Sequence, residues 1–264
     1  RPVLIEVPTD VFGEEFEGKI DYTPVYSTRS GPDPEAVKAA AVTLRTAKRP
    51  VIYAGQGVHY AEAWPQLKEL VELLGAPTTT SLEGKSAFPE DHPLSLGSGG
   101  RSLPRTVHEF LQNSDVIFGI GCSFTSTNFG ITMPTGKTVI HATLDPIDLN
   151  KNVVSQHALV GDAALTLEAL IAELKAQGQT PPDTSVVEKE IAGMKAAWLA
   201  EWMPKLTCNE APLNPYRVLW DLANTVDRPN TIITHDAGSP RDQISPFWES
   251  TTPLSYIGWG KTTQ

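Results

Sequence analysis

Cysteine is scarce, with only Cys122 and Cys208 in 264 residues. The two are far apart, with neither the CxxC spacing of a zinc or redox motif nor the density of a disulfide scaffold. Free thiols and a cytoplasmic location are the expectation. Positive charge is also short: 21 Lys and Arg stand against 31 Asp and Glu, a net charge of −10. Without a long basic cluster, such a chain offers no surface for nucleic acid or other acidic partners. No apolar run approaches the length of a membrane span, and no signal-peptide pattern occurs at Arg1. Internal repeats and low-complexity stretches are missing too. His59, His92, His108, His141, His157 and His235 lack metal-ligand spacing and read as satisfied surface or core residues. Glu90 and Asp91, beside His92, read as loop hydrogen-bonding groups rather than an acid/base pair. What is left is an ordinary globular composition, 40% hydrophobic and 20% charged, long enough for one large or two modest domains.

From Asp33 onward the chain alternates between strand and helix patterns. Asp33 is a natural N-cap with Pro34 at the first helical position, and Val37, Ala40, Ala41 and Leu44 fall on one helical face. The apolar run Val51 to Ala54 reads as a strand, Leu67, Leu70, Val71 and Leu74 as a helix face, and Pro77 to Thr80 as a short strand. Pro104 opens a helix carrying Val107, Phe110 and Leu111, and strands follow at Val116 to Ile120 and Thr138 to Leu144. Asp162 caps a helix with Leu167, Leu170, Ile171 and Leu174 turned inward. Strands apolar on both faces, separated by amphipathic helices, imply a parallel sheet covered on both sides. The fold class expected is therefore α/β, a Rossmann-like sheet over residues 31–176 with partial α/β segments on either flank. Residues 1–30 hold one isolated strand, Pro2 to Pro8, and a linker. Residues 177–213 form a second linker, containing Gly178, Pro181 and Pro182, and a helix whose Trp198 and Trp202 pack a core or a neighbouring domain. Residues 214–264 start a further α/β unit at Asn214-Pro215, with a strand at Thr231 to Thr234.

Gly55-Gln56-Gly57 occupies a strand-to-helix turn, where missing Cβ atoms let a phosphate approach backbone N–H groups. The dinucleotide fingerprint is incomplete: Tyr60 holds the place of the third glycine, and no acidic residue follows about twenty positions on. A plain tight turn and a phosphate cradle both remain open at this point. Other strand ends carry Gly119-Ile120-Gly121-Cys122-Ser123-Phe124, His141-Ala142-Thr143-Leu144-Asp145-Pro146, Gly161-Asp162-Ala163 and Asp236-Ala237-Gly238-Ser239.

The order from Lys48-Arg49-Pro50 through the Gly55 turn, Leu73-Leu74-Gly75-Ala76-Pro77 and Gly84-Lys85-Ser86-Ala87-Phe88-Pro89-Glu90-Asp91-His92-Pro93-Leu94 closely resembles the central domain of thiamine-diphosphate-dependent enzymes of the acetolactate synthase, pyruvate oxidase and decarboxylase type. The resemblance implies a fragment centred on that domain, from a parent lyase or transferase acting on a 2-keto acid or related carbonyl substrate. Residues 1–30 would then end a pyrimidine-binding domain, and residues 214–264 would begin a pyrophosphate-binding domain. Thiamine diphosphate and Mg²⁺ are the cofactors implied for the parent, which would be a homodimer or homotetramer, while the isolated chain would be inactive. In the same resemblance Gly238 and Ser239 hold the cofactor's diphosphate, and the segment Tyr256 to Gln264, with Gly258 and Gly260, approaches its pyrimidine ring. Gly55, Gly57, Ser123, Asp145 and Asp162 mark a nucleotide pocket for FAD or an ADP-like group. Ser123 departs from the arginine of flavin-binding relatives, and Thr125-Ser126-Thr127-Asn128 replaces their acidic residues, which lowers the expectation of flavin. The alternative is a stand-alone FAD-, NAD- or ADP-binding Rossmann-like module.

Overall fold

The computed structural model describes residues 4–258 apart from residue 129. After a one-turn helix α1 (Thr9–Phe12) and an exposed linker, Asp33 caps α2 (Pro34–Thr46) by accepting from the Glu35 N–H at 2.9 Å. The buried face of α2 is the one its sequence dictates, Val37, Ala40, Ala41 and Leu44. Strand β1 (Pro50–Ala54) leads through α3 (Gly57–Tyr60) to α4 (Trp64–Leu74), which stops at Gly75 in the left-handed region, φ 61°. Then come β2 (Thr78–Ser81), β3 (Ser95–Gly99), α5 (Arg105–Asn113), β4 (Val116–Ile120), β5 (Thr138–Thr143), β6 (His157–Val160) and α6 (Ala163–Ala176). The six strands form one parallel sheet in the order β3-β2-β1-β4-β5-β6. This is the doubly wound order, reversing direction between β1 and β4, where such sheets open a crevice at the strands' carboxyl ends.

Most of the core is aliphatic, but β2 is polar and buried along its whole length. Its threonine hydroxyls are all paired: Thr78 Oγ1 donates to the Ala76 carbonyl, Thr79 Oγ1 to the Gly97 carbonyl and Thr80 Oγ1 to Ser98 Oγ, at 3.0, 2.7 and 2.9 Å. Burial of such groups is tolerated because each finds a partner.

Beyond α6, the linker is held down rather than free. Gln179 Nε2 donates to the Leu73 carbonyl at 3.1 Å, and a Cβ on Gly75 would stand 2.6 Å from Pro182 Cγ. Helices α7 (Ser185–Leu206) and α8 (Pro215–Thr225) follow. Trp198 and Trp202 join Tyr216 and Phe247 in an aromatic cluster, with Trp198 stacked on Phe247 at 5.0 Å and Trp202 against Tyr216 at 5.0 Å. The last elements are β7 (Ile233–His235), α9 (Ser239–Ile244) and β8 (Tyr256–Gly258), with β7 and β8 paired in parallel as a separate two-stranded sheet.

Three expectations need correction. Residues 4–8 form no strand and are exposed, because no strand among the described residues pairs with them; residues 2 and 3 of the expected strand lie outside the described residues. Strand β7 begins two residues later than expected, since Thr231 is still engaged in a 3-10 turn over Arg228–Asn230. Strands β3 and β6 went unrecognised: β3 is Ser- and Gly-rich, and β6 is an edge strand with only Leu159 fully inside.

Candidate functional site

The crevice at the sheet's reversal point is a cleft of about 420 Å³. Gly55, Gln56 and Gly57 enter it from the turn after β1, Ser81 and Glu83 from the end of β2 and just beyond, Gly121 to Thr125 from beyond β4, and Thr143 to Asp145 with Asp148 from the end of β5. Sequence reasoning thus named Gly55, Gly57, Ser123 and Asp145 from separate strand ends, and the fold brings these four together. Asp162 is not in the lining. It caps α6, accepting from the Ala164 and Leu165 N–H groups at 3.1 Å each, and pairs with Arg29 at 3.5 Å.

Close backbone packing shapes the cleft floor. The Gly55 N–H donates to the Ile120 carbonyl and the Gly57 N–H to the Gly121 carbonyl, both at 2.8 Å. A Cβ on Gly55 would lie 2.4 Å from the Gly121 oxygen, one on Gly57 2.7 Å from Gly121 Cα, and one on Gly121 2.7 Å from the Val58 nitrogen. The turns after β1 and β4 therefore touch main chain to main chain. Phe124, at a positive φ of 47°, folds back over β4, and its ring fills the space where a side chain on Gly119 would be. It stacks on Tyr53 at 5.7 Å and meets His141 edge-on at 4.8 Å.

The polar groups are largely engaged with one another. Ser123 Oγ donates to Thr125 Oγ1 at 2.9 Å, and Asp145 Oδ1 accepts from the Ile147 N–H at 3.1 Å, capping a 3-10 turn over Pro146–Asp148. His141 Nε2 donates to the Cys122 carbonyl at 2.8 Å while its Nδ1, buried, has no partner among the described residues; burial lowers its pKa, which favours the neutral ring. The Cys122 thiol is pushed up to about 12 by burial, which leaves it unreactive. Glu83 and Asp148 complete the lining with Asp145 as carboxylates, and no lysine or arginine is among the described residues that line the cleft. Lys151 stands at the rim, its Nζ 3.5 Å from Thr125 Oγ1. Glu83 and Asp148 were not legible as cleft residues in the sequence, since neither sits in a recognisable motif.

Gly238 and Ser239 lie elsewhere, at the start of α9. Gly238 adopts φ 78°, and a Cβ there would meet nothing within 4 Å. Asp236 Oδ1 takes the Ala237 N–H at 2.6 Å, while the Gly238 and Ser239 N–H groups have no acceptor among the described residues. A turn with open space at Gly238 and two N–H groups without acceptors fits one end of a diphosphate, so these two residues could hold that part of thiamine diphosphate. Among the described residues no cluster of His, Cys, Asp or Glu is placed to hold a metal ion. Gly258 ends β8, whereas Gly260 and the rest of that expected segment lie outside the described residues. A second cavity, of about 570 Å³, separates Gln56, His59 and Glu83 from His235, Arg241 and Tyr256; His235 Nε2 and Tyr256 Oη are buried and have no partner among the described residues.

One buried cluster escaped sequence reasoning. Lys85, 1% exposed, forms an ion pair with Glu90, which also accepts from Ser98 Oγ and, at 2.7 Å, from the Ser250 N–H. Lys85 Nζ stands 5.2 Å from the centre of the Tyr256 ring. Glu90 is thus a loop hydrogen-bonding group, as its sequence context suggests, but a buried one that ties the six-stranded sheet to the C-terminal segment. The nearby Gly84-Lys85 and Pro89-Glu90 pairs were visible in the sequence; their mutual burial was not.

Comparison with known proteins agrees with this architecture. The family model for the thiamine pyrophosphate enzyme central domain matches residues 37–170. Over 98% of its length the chain is 31% identical to a probable acetolactate synthase large subunit of Methanococcus aeolicus, covering 46% of that protein, and 32% identical to one of Methanocaldococcus jannaschii, covering 45%. It is 34% identical, again over 98% of its length, to an acetolactate synthase of Mycobacterium bovis, covering 42% of it. The chain spans about half the length of the curated relatives it matches. Its fold is shared by the crystal structure of benzoylformate decarboxylase from Polynucleobacter necessarius, with a TM-score of 0.68 at 23% identity over 93% of this chain and 44% of that one. Among the described residues no helix is long and apolar enough to cross a membrane. With the doubly wound sheet and the family match over half its length, the chain belongs to the thiamine-diphosphate-dependent enzymes of the acetolactate-synthase and decarboxylase type, whose central domain it contains.

Proposed function

We propose that this chain is the central part of an enzyme that makes or breaks a bond beside the carbonyl of a 2-keto acid, in the manner of acetolactate synthase. The relation to acetolactate synthase large subunits along 98% of the chain is the observation that carries the reading. When bound, thiamine diphosphate supplies the nucleophilic carbon for such chemistry. This chain's share is to hold one end of the diphosphate at Gly238 and Ser239 and to wall the cavity beneath His235 and Tyr256. The unpartnered His235 Nε2 and Tyr256 Oη support that placement, because buried polar groups left without partners mark positions that a ligand or a further segment completes. The division into residues 1–30, 31–176, 177–213 and 214–264 belongs to the same proposal, as do Mg²⁺ binding by groups outside this chain, a homo-oligomeric parent and a cytoplasmic location. Assay of the whole gene product with thiamine diphosphate, Mg²⁺ and a panel of 2-keto acids tests it. The full protein should consume at least one of them while this chain alone consumes none. Turnover by the isolated chain, or an inert full protein across the panel, would overturn it.

A further inference from the structure

We infer that the cleft at the carboxyl ends of β1 and β4 is closed to diphosphate-bearing nucleotides, FAD included, and that its two glycine turns are built to fit each other rather than a ligand. This concerns a different site from the proposed catalytic one and does not depend on that reading. In a phosphate-binding turn, glycines bare backbone N–H groups toward the anion. Here the Gly55 and Gly57 N–H groups are already spent on the Ile120 and Gly121 carbonyls, and the Val58 N–H on the Gly55 carbonyl. The positions where Cβ atoms would stand on Gly55, Gly57 and Gly121 are occupied by main chain of the opposing turn. Steric need alone accounts for these glycines.

Charge points the same way. A diphosphate is a multiply charged anion and is recognised by guanidinium groups or converging N–H donors. The cleft offers it Glu83, Asp145 and Asp148, and Ser123 with its hydroxyl donated to Thr125. Among the described residues Lys151, exposed at the rim, is a single screened charge against three carboxylates. Helix α3 is one turn long, so it adds little dipole.

The experiment is calorimetric titration of the purified chain with ADP, FAD and adenosine, paired with melting curves of Gly57→Ala and Gly193→Ala measured without nucleotide. A Cβ on Gly193 would meet nothing within 4 Å, which makes it the control. We expect no saturable heat from ADP or FAD up to about millimolar concentration, the weak end of specific affinity. We also expect Gly57→Ala to melt at least about 5 °C below Gly193→Ala, as overpacking of a tight joint requires. Binding of adenosine alone would fit the inference, since it bears no diphosphate. Saturable binding of ADP or FAD, or a Gly57→Ala variant as stable as the control, would overturn it. Should Gly57→Ala fail to fold, the titrations of the unaltered chain still decide.

Discussion

At Lys85 and Glu90, two charges are removed from water and offset by each other, by Ser98 and by the Ser250 N–H. Burial pushes the Lys85 ammonium toward deprotonation, and Glu90 pulls the other way. Removing one member leaves the other buried without its counter-charge, so Lys85→Met should cost about 3–5 kcal/mol, whereas Lys85→Met with Glu90→Leu should recover most of it. Denaturant unfolding of the single and double variants gives the coupling directly. His141 gives a second prediction, on the pH axis. Burial depresses its folded pKa below the free value of 6.5. Between those two values the unfolded chain binds more protons, so its contribution is intact above about pH 6.5 and is lost as pH falls toward the folded pKa. The melting temperature should decline on acidification through that window, and His141→Gln should decline less. A variant with an unchanged acid slope would remove His141 from the account.

At the scale of elements, caps and strand ends decide the geometry. Asp162 closes α6 with two backbone hydrogen bonds and also holds Arg29, so Asp162→Ala should lose about 1–2 kcal/mol of stability by denaturant unfolding. Helix α6 is legible in the sequence alone, as are α2, β1, α4, β4 and β5, because a capping residue or a continuous apolar run specifies each locally. Strand β3, Ser95–Gly99, is not: it owes its place to the Thr79 and Thr80 hydroxyls of β2, and no period in its sequence announces them. The cleft is half legible. Gly55, Ser123 and Asp145 stand in strand-end motifs, but whether Gly55 serves a ligand or the opposing turn depends on a contact with Gly121, more than sixty positions away. Lys85 and Glu90 illustrate the same limit, since burial of a charge cannot be read from spacing.

For the molecule as a whole, the two sheets differ in how complete they are. The six-stranded sheet is covered by helices, whereas β7 and β8 form a pair with exposed apolar residues at hand, Ile232 just before β7 at 67% and Ile257 in β8 at 43%. A two-stranded sheet is marginal by itself, and exposed apolar edges invite pairing. Limited proteolysis should therefore trim residues 1–30 and 214–264 first and converge near 31–176. Early cleavage within β1 or β4 with both ends intact would refute that order of stability. Light scattering on the intact chain should show concentration-dependent association that disappears once residues 214–264 are removed.

The strap of residues 177 to 184 is one of the ties between the six-stranded sheet and α7. Gln179 is anchored to the end of α4, and Pro182 lies against Gly75 where that helix stops. A tether of this kind behaves as a stiff bracket. It acts beside other ties, Arg105 on Glu201 and Glu90 on the Ser250 N–H, so a bulkier residue at Gly75 would strain the strap against Pro182 and Thr184 while the C-terminal segment stays fastened to the sheet.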